Sequence, residues 1–245
     1  MGQAFVSEIV GSAILILLGA GVVANVVLPK TKGNSSGWIV ITFGWGFAVM
    51  AGVYASYKSG AHINPAVTLG LFVDHPNTAD QFAKGIESSV GNMLLYWLAQ
   101  LIGAFIGAVL CWLAYKKHFD DPTADPGAKL GTFSTGPAIR SYGWNFVTEA
   151  IGTFVLVFIV IAFGKNPAQL GPLPVSLLVV GIGLSLGGPT GYAINPSRDL
   201  GPRIAHAILP IPGKGSSDWA YSWVPVFGPL VGGAIAGLAA HAYIS

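Results

Sequence analysis

The sequence predicts an all-α integral membrane protein, six transmembrane helices plus two half-helices in an inverted 3+3 repeat, and three observations predict it. Of 245 residues 53% are hydrophobic and only 9% charged, with a mean hydropathy of +0.65. Soluble domains carry about 25% charge, so this chain cannot cover a water-facing globule of its size. Six apolar stretches approach the ~20 residues needed to span a hydrocarbon core. Finally, the chain repeats itself in two places. FVSEIVGS at 5–12 matches FVTEAIGT at 146–153, and SGAHINPAVTLG at 59–70 matches TGYAINPSRDLG at 190–201.

Apolar runs bounded by Pro, Gly and charged clusters place the spans near 4–28, 38–57, 88–115, 144–164, 173–189 and 222–243. The first lacks a basic leading segment and is too long for the apolar core of a signal peptide, so it reads as a membrane helix. Two further stretches, 65–73 and 196–208, are too short to cross, and each opens on Asn-Pro. They read as half-helices. A first repeat over 1–115, a linking loop over 116–143 and a second repeat over 144–245 follow, within one membrane domain over 1–245. The linker carries Asp120, Asp121, Pro122, Asp125 and Pro126 and reads as aqueous.

Each half holds three spans, an odd number, so the second half must enter from the opposite side and the matching segments meet near mid-membrane. Half-helices of about 10 residues rise about 15 Å each, and two end to end cover the ~30 Å hydrocarbon core. Asn is a favoured N-cap, and Pro suits the first helical position, where no N–H is needed. Asn64-Pro65-Ala66 and Asn195-Pro196-Ser197 therefore start helices at the midplane. Irregular backbone at that depth requires protein burial or a wet lumen. Both positive helix ends would face that lumen, which disfavours cations and protons, while the Asn amides can serve a neutral, oxygen-rich solute.

GAHINPAVT at 60–68 and GYAINPSRDLGPR at 191–203 resemble the paired signature loops of the aquaporin superfamily, and the resemblance covers essentially the whole chain. Ser197 departs from the Ala usual there. The resemblance implies a selectivity filter at Trp45, Gly183, Tyr192 and Arg198, with Phe43 or Phe47 as alternatives for the second-helix position. Gly183 and Tyr192, with Asp199 after Arg198, resemble the aquaglyceroporin, or glycerol uptake facilitator, branch. What this implies is a passive channel for glycerol and other small uncharged solutes: water, urea, dihydroxyacetone, hydrogen peroxide and undissociated lactic acid. Arg198 is expected to repel cations, since an intramembrane charge is costly and seldom idle.

Glu8 and Glu149 occupy matching repeat positions and are expected to hold the signature-loop backbone rather than relay protons. His62 is expected to pin its loop, and Asp199 to fix the second one. His75, His118, His206 and His241 show no mutual spacing suited to metal ligation, and no cofactor is expected. Trp38, Trp144, Trp219 and Tyr221 read as interfacial belts, and the pairs Gly103/Gly107 and Gly233/Gly237 as close helix contacts. Cys111 is the lone cysteine and reads as packing. A net charge of +2 without a long basic run argues against nucleic-acid binding. No GxSxG, phosphate loop or HExxH is present, so no enzyme is expected. The rival reading is a proton-coupled secondary transporter, which shares broken helices and inverted repeats but calls for more clustered intramembrane charge.

The resemblance further implies a homotetramer in the lipid bilayer with both termini cytoplasmic, and the short termini point to a bacterial plasma membrane. That orientation puts Lys58, Lys84 and Lys165 inside and the other nine of twelve basic residues outside or in the pore, the reverse of the positive-inside preference.

Overall fold

The structure is a computed structural model and describes residues 1–165 and 170–244. Among the described residues ten α-helices run in order: α1 Gly2–Val27, α2 Trp38–Ala55, α3 Pro65–Asp74, α4 Val90–Ala114, α5 Lys116–Phe119, α6 Pro126–Phe133, α7 Tyr142–Lys165, α8 Leu173–Leu186, α9 Pro196–Ile208 and α10 Val224–Tyr243. Helices α1, α2, α4, α7 and α10 are each long and apolar enough to cross a bilayer. The fifth predicted span, α8, is present but has 14 residues, about 21 Å at 1.5 Å per residue. It stops short of residue 189 because Gly187 and Gly188 add backbone entropy and Pro189 drives the residue before it out of the helical region.

The linker is less aqueous than its composition predicts. It contains α5 and α6, and Phe119 and Phe133 are buried with their rings 5.4 Å apart. Helix α6 starts on Asp125-Pro126, where Asp125 Oδ1 accepts the Ala128 N–H at 3.0 Å. Asp-Pro thus acts here as Asn-Pro does at the half-helices, an N-cap followed by a first-turn proline. Along the same face Lys30 Nζ lies 2.6 Å from Asp121 Oδ2. The Lys30 hydrogen bond, helped by Thr123, holds the Asp121 carboxyl well below its ordinary pKa.

Packing follows the repeat. Helix α1 lies against α4 and α2, as α7 lies against α10 and α8. Each half-helix crosses to the other half, α3 packing on α10 and α9 on α4, and α2 meets α8 at the centre. Exchanging the halves maps this set of neighbours onto itself, as an inverted repeat requires. The glycine pairs make the close crossings possible. A Cβ on Gly103 or Gly107 would fall 2.3 or 2.4 Å from the Ile9 or Ala13 carbonyl of α1. One on Gly233 or Gly237 would fall 2.6 or 2.4 Å from the Ala66 or Gly70 carbonyl of α3. Outward positions carry Ile39, Phe47, Leu177, Phe227 and Leu238, all exposed, the apolar exterior that a hydrocarbon solvent demands.

Candidate functional site

The two Asn-Pro ends face each other across the repeats. Asn64 caps α3 by accepting the Ala66 N–H at 2.9 Å, and its Nδ2 donates to the Ile194 carbonyl at 2.8 Å. Asn195 caps α9 by accepting from Ser197 N at 3.1 Å and Arg198 N at 3.2 Å, and its Nδ2 donates to the Ile63 carbonyl at 2.9 Å. Each asparagine therefore ties its own helix start to the opposite loop. Pro65 and Pro196 sit at the first helical positions and are buried.

Both loops approach these caps through strained backbone. Ile63 and Ile194 each have φ of 42°, Ala61 has 58° and Tyr192 has 38°. A β-branched residue in the left-handed region is a genuine outlier, costing about 1–3 kcal/mol, and persists only where its surroundings over-determine it. The carboxylates do so. Glu8 Oε1 accepts the His62 N–H at 3.0 Å and the Ser59 hydroxyl at 2.5 Å, and Oε2 accepts the Ile63 N–H at 2.7 Å and the Gln100 amide at 2.6 Å. Glu149 repeats the arrangement, accepting the Ala193 N–H at 2.9 Å and the Ile194 N–H at 2.8 Å. Both acids are buried away from the cavities described below. His62 has both ring nitrogens engaged, Nδ1 with Thr68 Oγ1 and Nε2 with the Phe82 carbonyl, each at 3.1 Å.

Three cavities line up through these loops. A wide one of about 700 Å³ is lined by Tyr54, His62, Asn64, Phe163 and Asn195 among others. It shares Asn64 and Asn195 with a narrow section of about 40 Å³. That section shares Trp45, Tyr192 and Arg198 with a third cavity of about 300 Å³ beneath α6. Shared lining residues link the three in series, and the smallest of them is lined by Asn64 and Asn195 as well as Trp45, Tyr192 and Arg198.

Small residues place the aromatic rings at this constriction. A Cβ on Gly19 of α1 would overlap the Trp45 indole, at 2.2 Å from Cζ3. A Cβ on Gly183 of α8 would sit 2.7 Å from Tyr192 Cζ and 2.9 Å from its Oη. Gly183 therefore stands one layer behind the wall, and the Tyr192 ring fills the space it leaves. Of the three candidates on the second helix, Trp45 lines the constriction and is buried, while Phe43 and Phe47 are exposed on the outside.

Arg198 lays its guanidinium over the Trp45 ring, with Cζ 4.1 Å from the centroid, a cation–π distance. Its one guanidinium hydrogen bond among the described residues goes to the Phe133 carbonyl at 3.4 Å. Asp199 is turned away from the cavities: it accepts the Thr135 N–H and hydroxyl at 2.8 Å each, and Arg203 Nε and Nη2 at 2.8 and 3.0 Å.

Ser197 keeps its hydroxyl within the cap, donating to Asn195 Oδ1 at 2.9 Å. A group satisfied on its own asparagine offers little to the lumen. Ser197→Ala is accordingly expected to cost about 1 kcal/mol or less, the net value of one such bond, and to leave solute permeabilities within about twofold, since 1.4 kcal/mol is needed for tenfold. Liposome flux assays on this variant check it; a larger change would place the hydroxyl on the solute path.

The sequence reading missed several contributors. Trp38, read as an interfacial belt residue, donates its indole N–H to the Gly183 carbonyl at 3.0 Å and sets its ring edge-on to Tyr192 at 5.7 Å. Arg203 is buried, and besides Asp199 it donates to the carbonyls of Thr135 at 2.9 Å and Ser217 at 2.8 Å. It thus locks two loops to α9. Buried Gln100, reaching Glu8, was missed too. Arg203 had a signal, a second arginine within an apolar half-helix one turn after an acid. Gln100 had none. Asp74, His75 and His241 also lie together at one end of the molecule, brought there by packing that the spacing of the histidines in the sequence does not reveal.

These features define a multi-pass membrane protein with a narrow, partly polar route through the centre of an inverted repeat. The chain belongs to the major intrinsic protein family, whose description matches residues 1–240. It is 56% identical to glycerol uptake facilitator protein 3 of Lactiplantibacillus plantarum, covering 94% of this chain and 92% of that one. It is 57% identical to a probable glycerol uptake facilitator protein of Thermotoga maritima, covering 94% of each. Among solved structures, the aquaglyceroporin from Plasmodium falciparum superposes with a TM-score of 0.82 at 30% identity, over 99% of this chain and 96% of that one.

Proposed function

We propose that the chain is a passive glycerol channel of a bacterial cell membrane, also open to water and other small uncharged solutes. The observation that carries this is the constriction itself, where two aromatic rings and one arginine surround about 40 Å³. The rings of Trp45 and Tyr192 suit the carbon backbone of a polyol, and Arg198 supplies donors to its hydroxyls. The names of the relatives support the same solute class. At the midplane, each Asn Nδ2 carries two hydrogens and uses one across the repeats, which leaves the other for a passing oxygen. Ions are opposed by the Arg198 charge and by the two helix N-termini aimed at the same point.

Glu8, Glu149 and Asp199 take supporting roles in this reading, because each is bonded to the loops and none lines the cavities, and His62, which does line the wide cavity, has both ring nitrogens engaged by Thr68 and the Phe82 carbonyl. That argues against the proton-coupled transporter, which needs a titratable group along its path. Both termini are cytoplasmic in this proposal, and the protein acts as a homotetramer with one pore per subunit.

The test is stopped-flow light scattering of proteoliposomes under a glycerol gradient, with and without a proton gradient. Fast, non-saturating glycerol entry that ignores the proton gradient is the expected result. Water flux without glycerol entry, or uphill entry driven by protons, would overturn it.

A further inference from the structure

Away from the pore, α3 and α10 cross so closely that Gly237 stands against the Gly70 carbonyl. One helical turn further along each, the partners are Asp74 and His241. His75 follows Asp74 directly as the C-cap of α3. The packing of one half-helix on the last span of the other half therefore brings together one carboxylate and two imidazoles that are distant in sequence.

We propose that Asp74, His75 and His241 form a binding site for a borderline divalent transition-metal ion, of the Zn²⁺ class. One ligand atom from each lies within 4.8 Å of the other two. His75 Nδ1 is 2.9 Å from Asp74 Oδ2, and His241 Nδ1 is 3.9 Å from Asp74 Oδ1. Zinc bonds of about 2.0–2.1 Å in a tetrahedron set neighbouring ligand atoms about 3.3 Å apart, between these two separations. His75 Nδ1 is shielded from solvent, and Asp74 Oδ2 lies at an ion-pair distance from it. The rings of His75 and His241 meet edge to face at 5.3 Å, so both can turn a nitrogen to the same point.

Access and donor chemistry agree. Asp74 is buried while His241 is 62% exposed in its side chain, so the site opens outward and a water can complete the coordination. Two imidazoles and one carboxylate suit Zn²⁺, Co²⁺ or Ni²⁺ and are poor partners for Mg²⁺ or Ca²⁺, which favour oxygen ligands. None of the three residues lines the pore cavities. A bound ion would clamp the end of α10 to α3, and with it the two halves of the molecule.

The experiment uses the untagged full chain in detergent, stripped with chelator and titrated with Co²⁺, whose visible bands report coordination number and donor type. One Co²⁺ per chain, displaced by Zn²⁺, is expected. His75→Ala and His241→Ala should each weaken it by more than about tenfold, the loss that even outer-shell changes can cause. His241→Ala, at an exposed position, should retain the melting temperature of the stripped protein and its glycerol flux. No stoichiometric binding, or binding that both variants leave unchanged, would overturn the site in favour of a metal-free clamp.

Discussion

Glu8→Ala is expected to abolish the stably folded protein, because one carboxylate holds both the shape and the hydrogen bonding of the first half-helix loop. Removing it strands the His62 and Ile63 N–H groups, both buried, while the Gln100 amide keeps its bond to Thr68 Oγ1 at 3.1 Å. The Ser59 hydroxyl can still donate to the Ser56 carbonyl at 2.8 Å, but backbone N–H groups cannot turn elsewhere. Each buried donor left without a partner costs about 1–3 kcal/mol. Ile63 would moreover lose what holds it at a φ of 42°, a conformation that itself costs about 1–3 kcal/mol. The sum, on the order of 3–9 kcal/mol, is comparable with the 5–15 kcal/mol by which proteins are stable.

Glu8→Gln keeps one acceptor oxygen and the side-chain volume, so its loss should be about half as large. Thermal unfolding of both variants in detergent measures the series. An alanine variant melting with the parent would show that the loop holds its shape without the carboxylate. Glu149→Ala should follow the same pattern through Ala193 and Ile194, since it accepts from the equivalent backbone groups of the second loop.

The outline of the fold was legible because membrane physics constrains it tightly. Apolar length marks the spans, and Asn-Pro marks helix starts that have no business at mid-membrane unless something wet passes there. The second half-helix was predicted at 196–208 and is found at Pro196–Ile208, since Asn195-Pro196 fixes its start without ambiguity. Helix α6 escaped notice although Asp125-Pro126 obeys the same rule, because its polar setting made the pair read as part of an aqueous loop. At the site, the residues with chemical character of their own stood out. What could not be read was why the rings sit where they do: Gly19 acts through absent atoms, which in a helix rich in glycine carry no signal, and Gly183 stood out only through the family resemblance. The histidine and aspartate cluster was hidden for a related reason, since its members are joined by a helix crossing and not by spacing.

The pairing of Gly183 with Tyr192 yields the second large effect, on permeation. In Tyr192→Ala the ring leaves the narrowest section, and Trp45 and Arg198 remain. Polyols longer than glycerol should then gain on glycerol by on the order of tenfold, equivalent to about 1.4 kcal/mol of barrier. Gly183→Ala should act oppositely. Its Cβ would stand 2.7 Å from Tyr192 Cζ and 2.9 Å from Thr42 Cγ2, and overpacking of this kind costs about 1–3 kcal/mol unless something moves. The ring is bounded on another side by Trp38, so the open direction is the lumen, and glycerol flux should fall. In the double variant the methyl no longer meets the ring, and the penalty of Gly183→Ala should shrink to what the contact with Thr42 Cγ2 imposes. That coupling separates a ring displaced into the pore from a general loss of packing, which would leave the two changes additive. Relative polyol permeabilities of the four proteins in liposomes decide it, and unchanged ratios in Tyr192→Ala would move the selective step away from this constriction.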